Sequence, residues 1–198
     1  MNLSALAVSI SGAVVLIGSI AGARHDEIPA WEVRVFRVIN GMPDGLYKVL
    51  WAPMQLGNLV VGPAVGLAIA WVVGSWGVAL GVVAATFLKL VVERVVRREV
   101  ASYLTVRQRP ATSQPRAILR GSDVPHEGPS FPSGHVILVA AVSSVLIVAL
   151  HPAIVWIPFT LAAVVAVARV YVGAHNPLDV LAGFGAGLLV GGVIALFL

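Results

Sequence analysis

Three short groups of polar residues interrupt an otherwise apolar chain, and each combines side chains that could bind an anion or move a proton. They are Arg109-Pro110, then Pro132-Ser133-Gly134-His135, and then Arg169 with His175 and Asp179. Arginine binds phosphate and carboxylate oxygens through paired hydrogen bonds. Histidine acts as a base, an acid or a nucleophile near neutral pH. Together these residue types favour chemistry on a phosphate group.

The second group has the features of a helix start. Ser133 is a favourable N-cap residue, and the amides of Gly134 and His135 would then lie at the positive end of the helix, where anions bind. A plain cap without a ligand is the alternative. We favour the anion site because a titratable ring at the end of a membrane helix contributes little to packing.

The third group admits two interpretations. The run Asn176-Pro177-Leu178-Asp179 has the order of an N-cap, a proline at N1 and a carboxylate at N3, so Asp179 could serve as a cap alone. Alternatively, Asp179 accepts the Nδ1 proton of His175, four residues earlier, and leaves Nε2 free as a nucleophile or base. Arg169 could either extend to lipid headgroups or act in a site.

A metal site is a further alternative, since two histidines and a carboxylate (here His135, His175 and Asp179) can bind zinc or iron. Arg109 and Arg169 argue against it, because fixed positive charges repel a divalent cation and attract phosphate. We therefore predict no metal and no other cofactor. The remaining histidines are interpreted as loop or interface residues: His25, His126 and His151.

The composition is that of a membrane protein. Of the 198 residues, 59% are hydrophobic and 11% charged, with a mean hydropathy of +0.95. A soluble domain has about 25% charged residues, so the composition excludes a water-soluble fold. The net charge of +4 indicates anionic partners, which for a membrane protein are lipid headgroups or phosphorylated lipids. The sequence gives no sign of nucleic-acid binding, and without cysteine it excludes disulfide and thiol chemistry.

The elements that must position the three groups are apolar helices. Six stretches approach the roughly 20 residues that a spanning helix needs: 3–23, 50–74, 75–96, 133–150, 153–172 and 178–198. Segment 24–48 predicts an amphipathic helix in the membrane interface, and segment 97–132 is polar. Alternating crossings place both segments and the three groups on one membrane face. Glycine recurs every fourth residue from Gly183 to Gly191, which predicts a close helix contact. We predict an all-α polytopic protein in which residues 1–198 form one domain.

The three groups together resemble the three-part signature of the type 2 phosphatidic acid phosphatases, also called lipid phosphate phosphatases. The resemblance implies that His175 attacks phosphorus and forms a phosphohistidine, oriented by Asp179. It implies that His135 protonates the leaving group and then activates water. It also implies that four residues bind the phosphoryl oxygens: Arg109, Arg169, Ser133 and Gly134. Fixed donors of this kind stabilise the charge that spreads over those oxygens in the transition state.

One position departs from the family pattern. The family usually has a lysine seven residues before the arginine that here is Arg109, and Ser102 occupies that position in this chain. Four nearby residues could supply the missing cation: Lys89, Arg97, Arg98 and Arg107.

We therefore expect an integral protein of a bacterial-type plasma membrane that hydrolyses a lipid phosphomonoester or diphosphate without metal. Polyprenyl (di)phosphate, phosphatidic acid and phosphatidylglycerol phosphate are candidate substrates. A phosphotransferase with the same site and a non-catalytic lipid carrier are alternatives, while a haloperoxidase pocket is disfavoured by the membrane spans. The family commonly places its site outside, whereas the abundance of Lys and Arg on the site's face favours the cytoplasm. We favour the extracytoplasmic side and leave the oligomeric state open.

Overall fold

The fold is known from a computed structural model, which describes residues 2–24, 28–103, 107–122 and 124–198, without the side chains of 99–103. Within these ranges the chain is helical and contains no β-strand, which confirms the predicted all-α class. The helices are α1 (Leu3–Gly22), α2 (Ala30–Asn40), α3 (Leu46–Met54), α4 (Val61–Val72), α5 (Trp76–Tyr103), α6 (Pro110–Ser113), α7 (Gly134–Leu146), α8 (Trp156–Tyr171) and α9 (Pro177–Ala195). His25 lies outside the described residues.

The centre of the fold is α7, which packs against α4, α5, α8 and α9 and is buried from Val136 to Leu146. Close contact with α9 depends on the predicted glycine row. A Cβ atom added to Gly187 would meet the backbone of Ile137, and one added to Gly191 would meet that of Ala141. Because glycine has no side chain, the two backbones can approach closely at these positions. On its other side α9 packs along α1.

The second predicted span, 50–74, is broken rather than continuous. Helix α3 and the 3-10 turn that follows it, Gln55–Gly57, are bent by 71° relative to α4. Pro53 in the last turn of α3 has no amide proton to donate to the helix. The side chain of Asn58 then accepts a hydrogen bond from the amide of Val60 at 2.8 Å, which starts the next helix.

The other spans differ from prediction mainly at their ends. α5 continues to Tyr103 rather than ending at 96, and α7 ends at Leu146 rather than 150. α8 begins only at Trp156, because residues 147–155 around Pro152 form turns. Of the described helices, α1 and α9 are long and apolar enough to cross a membrane, and the bent pair would make a third span. α7 and α8 are shorter apolar helices, so the count of six crossings stays a prediction.

The amphipathic helix predicted within 24–48 is α2, followed by a turn at Gly41. Its buried side chains are Glu32, Phe36 and Asn40, and its exposed apolar side chains include Trp31 and Val38. The side-chain Nδ2 of Asn40 donates to the carbonyl oxygens of Ile118 (2.8 Å) and Tyr171 (2.9 Å). These bonds join the two polar segments to each other and to the end of α8, at the same end of the helices.

Arg120 strengthens this junction. Its guanidinium donates to the carbonyl oxygens of Asn40, Tyr171 and Met42 at 2.7–3.0 Å and to a carboxylate oxygen of Asp44 at 2.9 Å. It also lies 4.3 Å from the centre of the Tyr171 ring. One arginine therefore holds the turn after α2 against the end of α8, two residues beyond Arg169.

Candidate active site

A polar cavity of about 310 Å³ lies where the three groups of polar residues meet. Seven of the residues singled out from the sequence line it: Lys89, Arg97, Arg109, Gly134, His135, Arg169 and His175. Gly57, in the break between α3 and α4, also lines it. A Cβ atom at Gly57 would come within 2.7–3.0 Å of the His135 side chain. The broken span therefore brings backbone directly against a site histidine.

His175 is held by the turn between α8 and α9. Gly173 lies just after the end of α8 and has a φ of +77°, a backbone conformation that residues with a side chain rarely adopt. Glycine at this position allows the chain to turn sharply before His175. The Nδ1 atom of His175 lies 2.8 Å from the carbonyl oxygen of Ser130. Because a carbonyl can only accept, Nδ1 carries the proton, and Nε2 keeps a free lone pair. Burial lowers the pKa of His175 well below the usual 6.5, and Arg169 and Arg109 lower it further. The imidazole is therefore neutral and nucleophilic.

Asp179 does not accept the Nδ1 proton of His175, so that sequence interpretation is wrong for this structure. The separation between Nδ1 and the Asp179 carboxylate is 3.9 Å. The carboxylate instead accepts the amide proton of Asn176 at 2.7 Å, within a capping box that starts α9. Its other oxygen accepts from the Nε of Arg107 at 3.1 Å. Asp179 is fully buried behind His175 and fixes the turn that carries it.

Arg107 is committed to a buried cluster and is not among the residues lining the cavity, so it does not supply the missing cation. Its Nη2 donates to Glu32 at 2.6 Å, in addition to the bond to Asp179. The same oxygen of Glu32 accepts the amide proton of Leu178 at 2.9 Å. Burial alone would lower the pKa of Arg107, but the carboxylates of Asp179 and Glu32 outweigh it and raise the pKa. Glu32 was not predicted from the sequence, in which the one sign of its role is that it is an acidic residue on a helix that otherwise carries arginines.

The other candidates for the missing cation differ in whether they line the cavity. Lys89 lines the cavity and forms an ion pair of 2.5 Å with Glu93. Arg97 also lines it and pairs with the second oxygen of Glu93 at 2.6 Å. Arg98 is exposed and is not among the lining residues. Ser102 lies in α5 where the structure does not describe side chains.

Arg109 and Arg169 are buried and line the cavity beside His175. Arg109 donates through Nη1 to the carbonyl of Ala174 at 2.9 Å, and its buried Nε has no hydrogen-bond partner among the described residues. Burial and the charge of Arg97 lower its pKa. Ser133 is fully buried at the start of α7 and is not one of the lining residues, although its hydroxyl has no hydrogen-bond partner among the described residues.

The donor set around the cavity suits an anion better than a cation. Across the part of the chain that the structure describes, no three histidine, aspartate, glutamate or cysteine side chains are grouped as metal ligands. Glu93 is the sole carboxylate among the described residues that line the cavity, and two cations already hold it.

A family model described as the PAP2 superfamily matches residues 74–198, well over half of the chain. The chain belongs to the PAP2 superfamily.

Two solved structures are similar to this PAP2 protein. LpxE of Aquifex aeolicus shares 25% identity, with a TM-score of 0.71 over 87% of this chain and 98% of that one. A transmembrane PAP2-type phosphatidylglycerolphosphate phosphatase of Bacillus subtilis shares 22% identity, with a TM-score of 0.72 over 96% of this chain and 94% of that one. The latter likeness shows the fold alone. No curated protein matches the sequence. Membership of the family and the apolar helices make the chain an integral membrane protein.

Proposed function

We propose that the protein is a membrane phosphatase that hydrolyses a lipid phosphomonoester or diphosphate through a phosphohistidine intermediate, with no metal and with all of residues 1–198 acting as one domain. The observation that carries the proposal is the arrangement of His175. Its Nδ1 proton is engaged by the Ser130 carbonyl, its Nε2 is free, and it shares a cavity with His135 and two buried arginines.

The first step follows from this geometry. Arg109 and Arg169 bind the phosphoryl oxygens and stabilise their charge in the transition state. Nε2 of His175 attacks phosphorus while the bond from phosphorus to the ester or bridging oxygen breaks. The electron pair stays on that oxygen, which takes a proton from His135, since the bound phosphate anion stabilises the protonated form of that ring until the transfer. The Ser130 carbonyl stabilises the positive imidazolium that forms, because it accepts its Nδ1 proton.

The second step restores the enzyme. His135, now neutral, removes a proton from water, and the hydroxide attacks the phosphohistidine. The N–P bond breaks, its electron pair returns to Nε2 of His175, and inorganic phosphate leaves. Asp179 positions the nucleophile and does not react itself. It accepts the backbone amide proton of Asn176 and pairs with Arg107, and both contacts hold the turn that carries His175.

An apolar groove beside the site supports a lipid substrate. It has a volume of about 210 Å³, lies between α4, α7 and α8, and has Leu56 in its lining. Leu56 directly precedes Gly57, which lines the polar cavity. A substrate with its phosphate in the cavity could therefore keep a hydrocarbon tail against apolar side chains. The B. subtilis relative is named for a lipid phosphate substrate, which agrees with this class.

The test is phosphate release from a panel of lipid phosphates by detergent-purified protein, with EDTA present throughout. We expect release by the wild type, none by His175→Ala, and normal release by His126→Ala, which alters an exposed histidine outside the cavity. Acid-labile phosphate trapped on the wild type but not on His175→Ala would identify the phosphohistidine. Release that EDTA abolishes, or that persists in His175→Ala, would refute the proposed mechanism.

We also propose that the site faces the extracytoplasmic side. The chain contains no cysteine, so a single one introduced at exposed Glu127 would report on that face. Cysteine at Ser75, in the turn between α4 and α5 at the opposite ends of the helices, is the matched control. A membrane-impermeant maleimide should label intact cells carrying Glu127→Cys and spare those carrying Ser75→Cys. The reverse pattern would place the site in the cytoplasm.

A further inference from the structure

The cations of the cavity fall into two sets. Arg109 and Arg169 belong to the part of the site around His175. Lys89 and Arg97 lie on one face of α5, four residues on either side of Glu93, and both bind its carboxylate, at 2.5 and 2.6 Å. At most one of these two cations takes the place of the lysine that the family pattern has near Arg109, so the binding of a single phosphoryl group does not account for both.

Glu93 occupies the position in which an anion would bind. Its carboxylate lies against the first residue of α7, where a Cβ atom added to Gly134 would meet its oxygens at 2.6 and 2.7 Å. A helix N-terminus with two adjacent cations attracts negative charge. The buried Nε of Arg97 has no hydrogen-bond partner among the described residues, so this set retains an unused donor.

The set also lies on the side of the site that holds the leaving group. His135, the proton donor to the leaving oxygen, directly follows Gly134. Lys89 and Arg97 hold the Glu93 carboxylate against Gly134, so their charges lie beside the residue that donates this proton.

We propose that Lys89, Glu93 and Arg97 form a second anion subsite that holds the phosphate of the leaving group, so that the preferred substrate is a lipid diphosphate. This inference rests on the proposed phosphatase function. His175 attacks the terminal phosphorus, the bond to the bridging oxygen breaks, and that oxygen takes its electron pair and the proton of His135. The leaving group is then a lipid monophosphate, which keeps negative charge. An alcohol from a monoester is neutral after the same proton transfer and gains nothing from two extra cations.

Glu93 serves as the counter-ion that holds both cations in place before the substrate arrives. Binding of the second phosphate displaces its carboxylate from one or both of them. Replacing Glu93 by glutamine keeps the shape of the side chain and removes the competing charge. The Glu93→Gln variant should therefore bind a diphosphate more tightly, with a lower KM for it.

The experiment compares farnesyl diphosphate with farnesyl monophosphate, which share one hydrocarbon tail, in the same detergent. Arg97→Gln is the test variant, since its partly exposed side chain can be changed with little risk to folding. Arg98→Gln is the matched control on the next, exposed position of α5. Loss of a charge-assisted contact should lower kcat/KM of Arg97→Gln for the diphosphate by roughly tenfold or more relative to the monophosphate. Arg98→Gln should leave the ratio between the two substrates unchanged.

Inhibition provides an independent readout. Inorganic pyrophosphate should inhibit the wild type more strongly than inorganic phosphate does, and this difference should shrink in Arg97→Gln. Equal losses on both farnesyl substrates, or a variant that still prefers pyrophosphate as much as the wild type, would overturn the second subsite while leaving the phosphatase intact. A wild type that releases phosphate from neither substrate would instead overturn the proposed function and the subsite with it.

Discussion

The buried carboxylate of Glu32 should be essential to the site although it lies outside the cavity. Glu32 is fully buried, and one of its oxygens accepts from both Arg107 (2.6 Å) and the amide of Leu178 (2.9 Å). Arg107 in turn holds Asp179 at 3.1 Å. The interfacial helix α2 is thereby tied to the first turn of α9, directly after His175. Changing Glu32 perturbs the position of the nucleophile through two contacts.

The magnitude follows from these contacts. Removing one member of a buried ion pair costs about 3–5 kcal/mol, so Glu32→Ala should lower the midpoint of thermal unfolding by roughly 10 °C, at about 2–4 °C per kcal/mol for a chain of this size. Glu32→Gln keeps an acceptor for Leu178 and loses only the charge, which should cost about 1–2 kcal/mol. A small shift of His175 should still lower kcat about ten- to hundredfold. KM should change little, because Glu32 does not line the cavity.

The assay is tryptophan fluorescence during heating, followed by steady-state kinetics at a temperature where every variant is folded. Glu127→Gln, at an exposed carboxylate, controls for the loss of one negative charge. If Glu32→Gln matched Glu127→Gln in both kcat and unfolding temperature, the buried network would have no role in positioning His175. A change in KM alone would also contradict the reasoning, since it would indicate direct contact with substrate.

Three further predictions concern other parts of the fold. Gly57→Ala places a Cβ within 2.7 Å of the His135 side chain, so kcat should fall sharply in kinetic assays while the protein stays folded. Arg120→Ala leaves the carbonyl oxygens of Asn40 and Met42 without this donor, which should cost about 1–3 kcal/mol and appear as a lower unfolding temperature. The lowered pKa of His175 means that the unfolded chain takes up a proton below its usual pKa of 6.5 while the folded site stays neutral. Stability should therefore fall as the pH drops below 6.5, and His175→Gln should lose less stability than the wild type when unfolding is measured at pH 7 and pH 5.

The convergence of the site could be predicted from the sequence because each polar group stands at a helix end. Arg169 lies in the last turn of α8, His135 is the second residue of α7, and the capping residues of α9 follow His175. Antiparallel apolar helices bring such ends to the same depth whatever the details of packing. The identity of each residue's partner depends on distances of a few tenths of an ångström, which the sequence does not contain. His175 thus donates its Nδ1 proton in a hydrogen bond to the carbonyl of Ser130 and not to Asp179, which was one of the two interpretations of the sequence.

The two carboxylates missed by the sequence analysis, Glu32 and Glu93, illustrate the same limit. Glu32 comes from a helix 75 residues away from Arg107 in the chain, and hydropathy places α2 only at the interface. Glu93 stood among several charges at the end of a predicted span, where snorkelling to headgroups is the ordinary interpretation. The break at Gln55–Gly57 was also missed, because Pro53 and Gly57 are tolerated inside many membrane helices.

The short lengths of α4 and α8 have a consequence for the membrane itself. At about 1.5 Å per residue, these helices of 12 and 16 residues extend only about 18 and 24 Å, against a hydrocarbon core of about 30 Å. Both present apolar side chains outward, including Trp71 and Trp156. Lipids on that flank must compress or tilt to match the shorter apolar height, a hydrophobic mismatch that the long α5 does not share. A change in bilayer thickness would therefore change the force on the groove between α4 and α8. Leu56 lines that groove and is followed by Gly57 in the cavity, so the same force would reach the site.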